Sequence, residues 1–260
     1  MNKYYINFED KRWNYSYKGF ASLINQTIEI ALSYCEYNKI NHENVEFVVD
    51  DKQINQIFPK KHIKAPMTPI SSWWLDMFFS KKINNKFDSH QIANLEDLLI
   101  KNIYFNKMFD YSYLQNKFEQ SFLELNLTDC IGVQIRGTDK KNEIPRIKED
   151  IVLRKIDSFI KESNESFSKI FLCTDDLDYL NSIKLFFGEK NLIYQNAYRS
   201  SGDLSVHHNH VFDRNLVNSQ VMSDIFALSK TKCMLYTFSN VSHLSLVLGC
   251  HNHKNINCLN

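Results

Sequence analysis

Apolar residues recur at helical spacing after Gly19, where Leu23, Ile24, Ile28, Ala31, Leu32 and Cys35 mark one face of FASLINQTIEIALSYCEYNKI. NVEFVVD at residues 44–50 then reads as a strand, so a strand, glycine turn, helix, strand order is expected from Tyr4 onward. Residues 57–82 hold three of the four prolines together with Trp73 and Trp74, which predicts irregular structure or an inserted loop. Residues 88–124 read as two helices. Beyond Asn126 the alternation becomes regular. CIGVQIR at 130–136 is a short apolar run ending in arginine, and a helix is predicted over Lys148 to Lys161. KIFLCT at 169–174 is a second strand, followed by a helix that Gly188 stops. Residues 191–194 suggest a third strand, before a polar, histidine-rich loop at 199–214 and a helix at about 215–230. The strand KCMLYT and a helix with Ser239 as N-cap complete the pattern. Strands alternating with helices predict a mostly parallel, doubly wound α/β sheet. A boundary near 125–128 divides the chain into lobes 1–126 and 127–260.

The 31 basic residues balance 30 acidic ones among 260, a formal charge of +1, so no global field gathers nucleic acid and any anion site must be local. No apolar run approaches the roughly 20 residues that cross a bilayer. The N-terminal segment carries charge throughout and lacks an apolar signal core, which predicts a cytoplasmic protein. The six cysteines never approach CxxC spacing and several sit in strand-like runs, so they read as buried thiols.

In doubly wound sheets the ligand lies outside the carboxyl ends of the strands. Three predicted strands end there in polar clusters: Arg136-Gly137-Thr138-Asp139-Lys140, Thr174-Asp175-Asp176 and Thr237-Phe238-Ser239-Asn240. A guanidinium, a carboxylate pair and a hydroxyl-bearing helix start suit a ligand with ribose hydroxyls and phosphates, and a nucleotide-sugar is a natural candidate. Simpler roles fit some of the same residues. Arg136 could form an ordinary surface ion pair, Asp176 an N-cap, and Ser239 caps a helix whatever the function. His207, His208 and His210 invite a metal reading, against which stands an exposed loop or acceptor contact; His251 and His253 read as a solvated tail. Trp73 and Trp74 suit acceptor stacking or core packing.

IGVQIRGTDK resembles the V-H-x-R-R-T-D-K segment of the α1,6-fucosyltransferase superfamily. IFLCTDDLDYL is similar to that family's ATDD strand and helix, and VMSDIFALSKTKCMLYTFSNVSHL to its D-hydrophobic-LS…TFSS segment, in the same order. The glycine-turn helix after Gly19 resembles the opening of these enzymes more weakly. The resemblance implies a GT-B-like fold of two lobes, with a Rossmann-like C-terminal lobe holding GDP-fucose and an N-terminal acceptor lobe. It implies inverting fucosyl transfer without metal or other cofactor to an oligosaccharide or glycolipid, and peripheral membrane association is compatible with such an acceptor. By the same resemblance Arg136 meets the donor β-phosphate, and Asp139 and Lys140 close that motif. Asp175 and Asp176 match the carboxylate pair, Asp224 the aspartate after the histidine-rich loop, and Thr237, Phe238 and Ser239 the phosphate-proximal turn.

Three departures stand out. Gln134 replaces a histidine, Gly137 replaces a second arginine, and Glu143 lies one residue closer to the Asp-Lys pair than the family's acceptor-side glutamate. Another nucleotide-sugar donor, or a catalytically silent nucleotide or glycan-binding module, therefore stays open beside fucosyl transfer. The chemistry itself suits these residue types. A fixed guanidinium stabilises the charge that develops on a departing diphosphate, and Asp139 or Glu143 could take the acceptor's proton. Asp176 and Asp178 form a DLD spacing, but on a predicted helix rather than on a loop.

Overall fold

The computed structural model describes residues 2–7, 19–59, 67–70, 94–119, 122, 125–137, 146–201, 206 and 211–260. The chain divides into two compact units, Met1–Lys117 and Phe118–Asn260.

In the first unit β1 (Asn2–Asn7) lies between β2 (Val45–Asp50) and β3 (Thr68–Pro69), all parallel, with Tyr4 opposite Phe47 and Thr68. Helix α1 (Phe20–Tyr37) connects β1 to β2 and buries Leu23, Ile24, Ile28 and Ala31, the face its periodicity predicts. The short α2 (Ile54–Ile57) follows β2. The two helices expected over 88–124 are α3 (Leu95–Met108) and α4 (Tyr111–Phe118). Asn94 caps α3 by accepting from the Glu96 amide at 2.9 Å. Phe58, Phe105 and Phe109 form an aromatic cluster with ring centroids 4.7 to 6.0 Å apart. Lys101 of α3 and Glu29 of α1, both buried, pair at 3.5 Å. Trp73 and Trp74 fall outside the described residues.

The second unit is a five-stranded, all-parallel sheet. Its strands are β4 (Ile131–Ile135), β5 (Ile170–Thr174), β6 (Leu192–Ile193), β7 (Cys233–Tyr236) and β8 (Asn255–Cys258), in the order β6-β5-β4-β7-β8. Strands β4, β5 and β7 are buried at every position, which explains why they read as unbroken apolar runs rather than alternating ones. The connecting helices are α5 (Glu149–Glu162), α6 (Leu177–Phe187), α7 (Arg214–Ser229) and α8 (Asn240–Gly249). Gly188 ends α6 at φ 81°, where a side chain would be strained.

The two sides of β4 meet different helices. Ile131, Val133 and Ile135 join a core with Val152 and Ile156 of α5 and Tyr179, Leu180 and Ile183 of α6. Gly132 faces α7 and the turn after it, where an added Cβ would lie 3.1 Å from Leu228 and 2.5 Å from the Thr231 hydroxyl.

Two corrections concern the C-terminal end. His251 is exposed as expected, but the segment that follows is no tail, because β8 pairs parallel to β7 with Met234 opposite Ile256. His253 precedes it as a packed ring whose Nδ1 lies 2.9 Å from the Thr231 carbonyl, and burial lowers its pKa to about 4. Gly249 has no Cβ because one would fall 2.3 Å from His253 Nε2. The cysteines are free thiols, all buried except the half-buried Cys258.

Gly132→Ala is expected to lower stability by about 1–3 kcal/mol, because the Thr231 hydroxyl it would strike is itself buried and bonded to the Leu228 carbonyl at 2.7 Å. Urea unfolding measures this; an unchanged midpoint would show that α7 yields to the methyl without cost.

Candidate functional site at the carboxyl edge of the sheet

From β4 the chain steps outward through β5 to β6, then returns to β7 on the other side of β4. The carboxyl ends of the strands where the winding reverses are the general ligand position in such sheets. Arg136 and Gly137 follow β4, and Thr237, Phe238 and Ser239 follow β7. The Thr237 amide donates to the Gln134 carbonyl at 3.0 Å. The Thr237 hydroxyl accepts from the Arg136 amide at 2.8 Å and lies 3.3 Å from Gln134 Oε1. Thr237 therefore bolts the two strand ends together, and Gln134, almost fully buried, is part of that bolt.

Ser239 caps α8 as expected. Its hydroxyl accepts from the Ser242 amide, and the Ser242 hydroxyl accepts from the Ser239 amide, both at 3.1 Å. The Phe238 amide donates to the Asn260 side chain at 2.6 Å. The positive end of α8 is thus fixed at the strand ends by its own capping box and by Asn260.

The pair after β5 separates into two tasks. Asp175 accepts from the Gly137 amide at 3.0 Å and pairs with Arg136 Nη1 at 2.9 Å; both side chains are mostly buried. Asp176, with no exposed surface, caps α6 by accepting from the amides of Asp178 at 2.8 Å and Tyr179 at 3.2 Å. Its other oxygen forms an ion pair with Arg146 Nη1 at 2.8 Å, close in distance but without hydrogen-bond alignment. Burial raises the Asp176 pKa, opposed by the Tyr179 amide and the Arg146 charge. A Cβ on Gly137 would lie 2.3 to 2.7 Å from three Asp176 side-chain atoms, so this chain has no room for an arginine at 137. Asp178 stands in the first turn of α6 while Asp176 turns to helix amides and Arg146; both carboxylates serve the helix start.

Asp224 of α7 lies beneath this edge rather than on it, 8% exposed. It accepts from Gln195 Nε2 at 2.6 Å and from the Cys173 thiol at 3.4 Å. Burial pushes its pKa up to about 6, against the Cys173 bond, the Arg199 charge and the Gln195 bond. Arg199 donates to the carbonyls of Thr174, Ala197 and Gln195 at 2.8 to 3.1 Å. Ser200 then pairs with the backbone beside Asp175 and Asp176. The segment 194–200 is thereby strapped along the end of β5.

The structure thus gathers Arg136, Asp175, Thr237, Phe238 and Ser239 at one edge, turns Asp176 to the α6 side, and sets Asp224 below. Asp139, Lys140, Glu143, His207, His208 and His210 lie outside the described residues. Among the described residues no three metal-binding side chains cluster, and no helix is long and apolar enough to cross a membrane. Sequence reasoning missed Arg146, Gln195 and Arg199. Arg146 stands before an acidic helix start, where a basic residue carries no signal; Gln195 and Arg199 sit in an aperiodic segment.

No family model and no curated protein matches the sequence. Solved structures do. A fucosyltransferase NodZ from Bradyrhizobium aligns over 98% of this chain and 95% of its own, at 13% identity and a TM-score of 0.57. A NodZ α-1,6-fucosyltransferase co-crystallised with GDP aligns over 98% and 94%, at 12% identity and 0.55. One soaked with GDP-fucose aligns over 95% and 93%, at 12% and 0.53. The chain has the NodZ fold. The α/β, GT-B-like class expected from the sequence agrees with that likeness.

Asp224→Asn tests the burial of this acid. With the folded pKa near 6 and an unfolded value near 3.9, the folded chain holds the extra proton between them. The stability contributed by protonated Asp224 is therefore full below about pH 4 and lost as pH rises through 6. The asparagine variant is expected to be more stable at pH 7.5 by on the order of 2–3 kcal/mol, the two-unit shift at 1.36 kcal/mol each, with the gap closing near pH 4. Urea unfolding at both pH values checks it; a pH-independent gap would place the cost elsewhere.

Proposed function

We propose that this chain is a glycosyltransferase that moves fucose from GDP-fucose to a hydroxyl of an oligosaccharide or glycolipid, with inversion and without a metal. The observation that carries the reading is the placement of Arg136, tied to Asp175 and Thr237, beside the capped start of α8 at the reversal point of the sheet. NodZ proteins of the same fold were crystallised with GDP and soaked with GDP-fucose, which supports that donor. The three motifs in order support the family.

In this reading the acceptor oxygen attacks the anomeric carbon, the bond from that carbon to the β-phosphate oxygen breaks, and the acceptor proton passes to a carboxylate of Asp139 or Glu143. Negative charge grows on the departing diphosphate. Arg136, the positive end of α8 and the Thr237–Ser239 turn stabilise it, and by the family resemblance Lys140 adds charge to the donor set. Asp175 keeps the Arg136 guanidinium from collapsing elsewhere, so the donor pays little to orient it. Asp224 serves the donor side from beneath, and its stability cost is what a functional acid in a buried setting incurs. The N-terminal unit supplies the acceptor side.

GDP and GDP-fucose are expected to raise the melting temperature while UDP and UDP-sugars do not, since a specific ligand at a hundredfold excess over its Kd adds about 2.7 kcal/mol. Equal shifts with UDP compounds would move the assignment to another donor, and GDP binding without turnover of GDP-fucose would make the chain a binding module. Turnover is expected to survive EDTA.

Arg136→Ala is expected to reduce turnover by about 10² or more, with Arg136→Lys restoring only part, because an ammonium lacks the planar fork that engages two phosphate oxygens. Steady-state kinetics on folded protein checks it. Near wild-type turnover would remove Arg136 from the mechanism.

A further inference from the structure

Strands β7 and β8 pair in regular parallel register up to Tyr236 and Cys258. Leu259 continues the pattern, its amide donating to the Tyr236 carbonyl at 2.7 Å. In a parallel ladder the carbonyl of that same residue would accept the next bond, from the Phe238 amide. Here Lys155 of α5 takes the Leu259 carbonyl at 2.6 Å, and the side-chain oxygen of Asn260 accepts from the Phe238 amide at 2.6 Å instead. A carboxamide thus stands in for a main-chain rung. Its root is firm, because Leu259 is buried in the core that Ile135 and Leu235 share with α5 and α6.

That rung acts on the turn between β7 and α8. The Thr237 amide is engaged from the other side, by the Gln134 carbonyl of β4 at 3.0 Å. The peptide joining Thr237 to Phe238 is gripped at both ends: its carbonyl accepts from the Ser242 hydroxyl at 2.8 Å, and its amide donates to Asn260. The Phe238 ring packs edge-on to Tyr236, with centroids 6.2 Å apart. The first turn of α8 is thereby tied through one peptide to the end of β8. This bond is solvent-exposed, so water can replace the carboxamide and little stability is at stake.

We propose that Asn260 is a positioning residue for the donor diphosphate: its carboxamide completes the β7–β8 ladder and fixes the peptide that leads into α8. The proposal rests on the fucosyl reading above, in which the Thr237–Ser239 turn and the start of α8 meet the diphosphate. Without the rung that peptide keeps only its Ser242 end, and part of the ordering of the turn falls to the binding step.

The test compares the full chain with Asn260→Ala and Asn260→Asp, reading melting temperature and calorimetric affinity for GDP and guanosine; GMP replaces guanosine if the latter binds too weakly. A turn that orients the diphosphate acts on GDP far more than on guanosine. Asn260→Ala is expected to weaken GDP binding about fivefold or more, the scale of one hydrogen bond, with the comparison ligand within about twofold and the melting temperature nearly unchanged. Asn260→Asp keeps the acceptor but adds a negative charge, so its loss of GDP affinity shrinks as salt is raised, unlike that of alanine. Equal losses for both ligands would make Asn260 a general brace, and unchanged or tighter GDP binding would show that the carboxamide orients nothing or competes for the Phe238 amide; each overturns the proposal. If the wild-type chain binds none of these ligands, the fucosyl reading falls by itself. The rung is then judged by hydrogen exchange of the Phe238 amide: exchange about tenfold or more faster in Asn260→Ala is expected, and an unchanged rate would overturn it.

Discussion

Reversal of the winding direction at β4 is the constraint from which the site follows. With β5 and β6 on one side and β7 and β8 on the other, all parallel, every strand delivers its carboxyl end to the same edge. The polar residues that follow those strands are therefore brought to that edge by the topology itself. The hydroxyl of Thr237 then ties β4 to β7, and the carboxylate of Asp175 ties β4 to β5. Three strand ends become one rigid platform, on which Arg136 is positioned by bonds that precede any ligand.

Buried charge is handled in two ways in this unit. Asp176 is neutralised by Arg146 and by the helix amides it caps, so it stabilises the start of α6 and serves the fold. Asp224 has a thiol, an amide and a more distant arginine around it, and its pKa rises toward neutrality. Buried acids with raised pKa values are commonly found among functional groups.

The departures from the fucosyltransferase pattern acquire physical reasons. Position 137 holds glycine because Asp176 fills the space a side chain would need. Gln134 is not a ligand group on the surface but a buried partner of Thr237. Both residues belong to the internal packing of the strand ends.

The sequence by itself determined the parallel α/β class, the buried strands β4, β5 and β7, the caps Asp176 and Ser239, and the three polar clusters at strand ends. These are local properties, carried by periodicity, apolar runs and capping chemistry. Only the tertiary structure decided which side of the sheet each polar group serves, because that depends on strand order and on helices distant in sequence. Arg146, Gln195 and Arg199 gave no local signal; their roles are contacts with Asp176, Asp224 and the Thr174 carbonyl. Strand β8 was equally hidden. Its NINC segment alternates exposed and half-buried positions on an edge, and main-chain pairing to β7, rather than apolar content, holds it in the sheet.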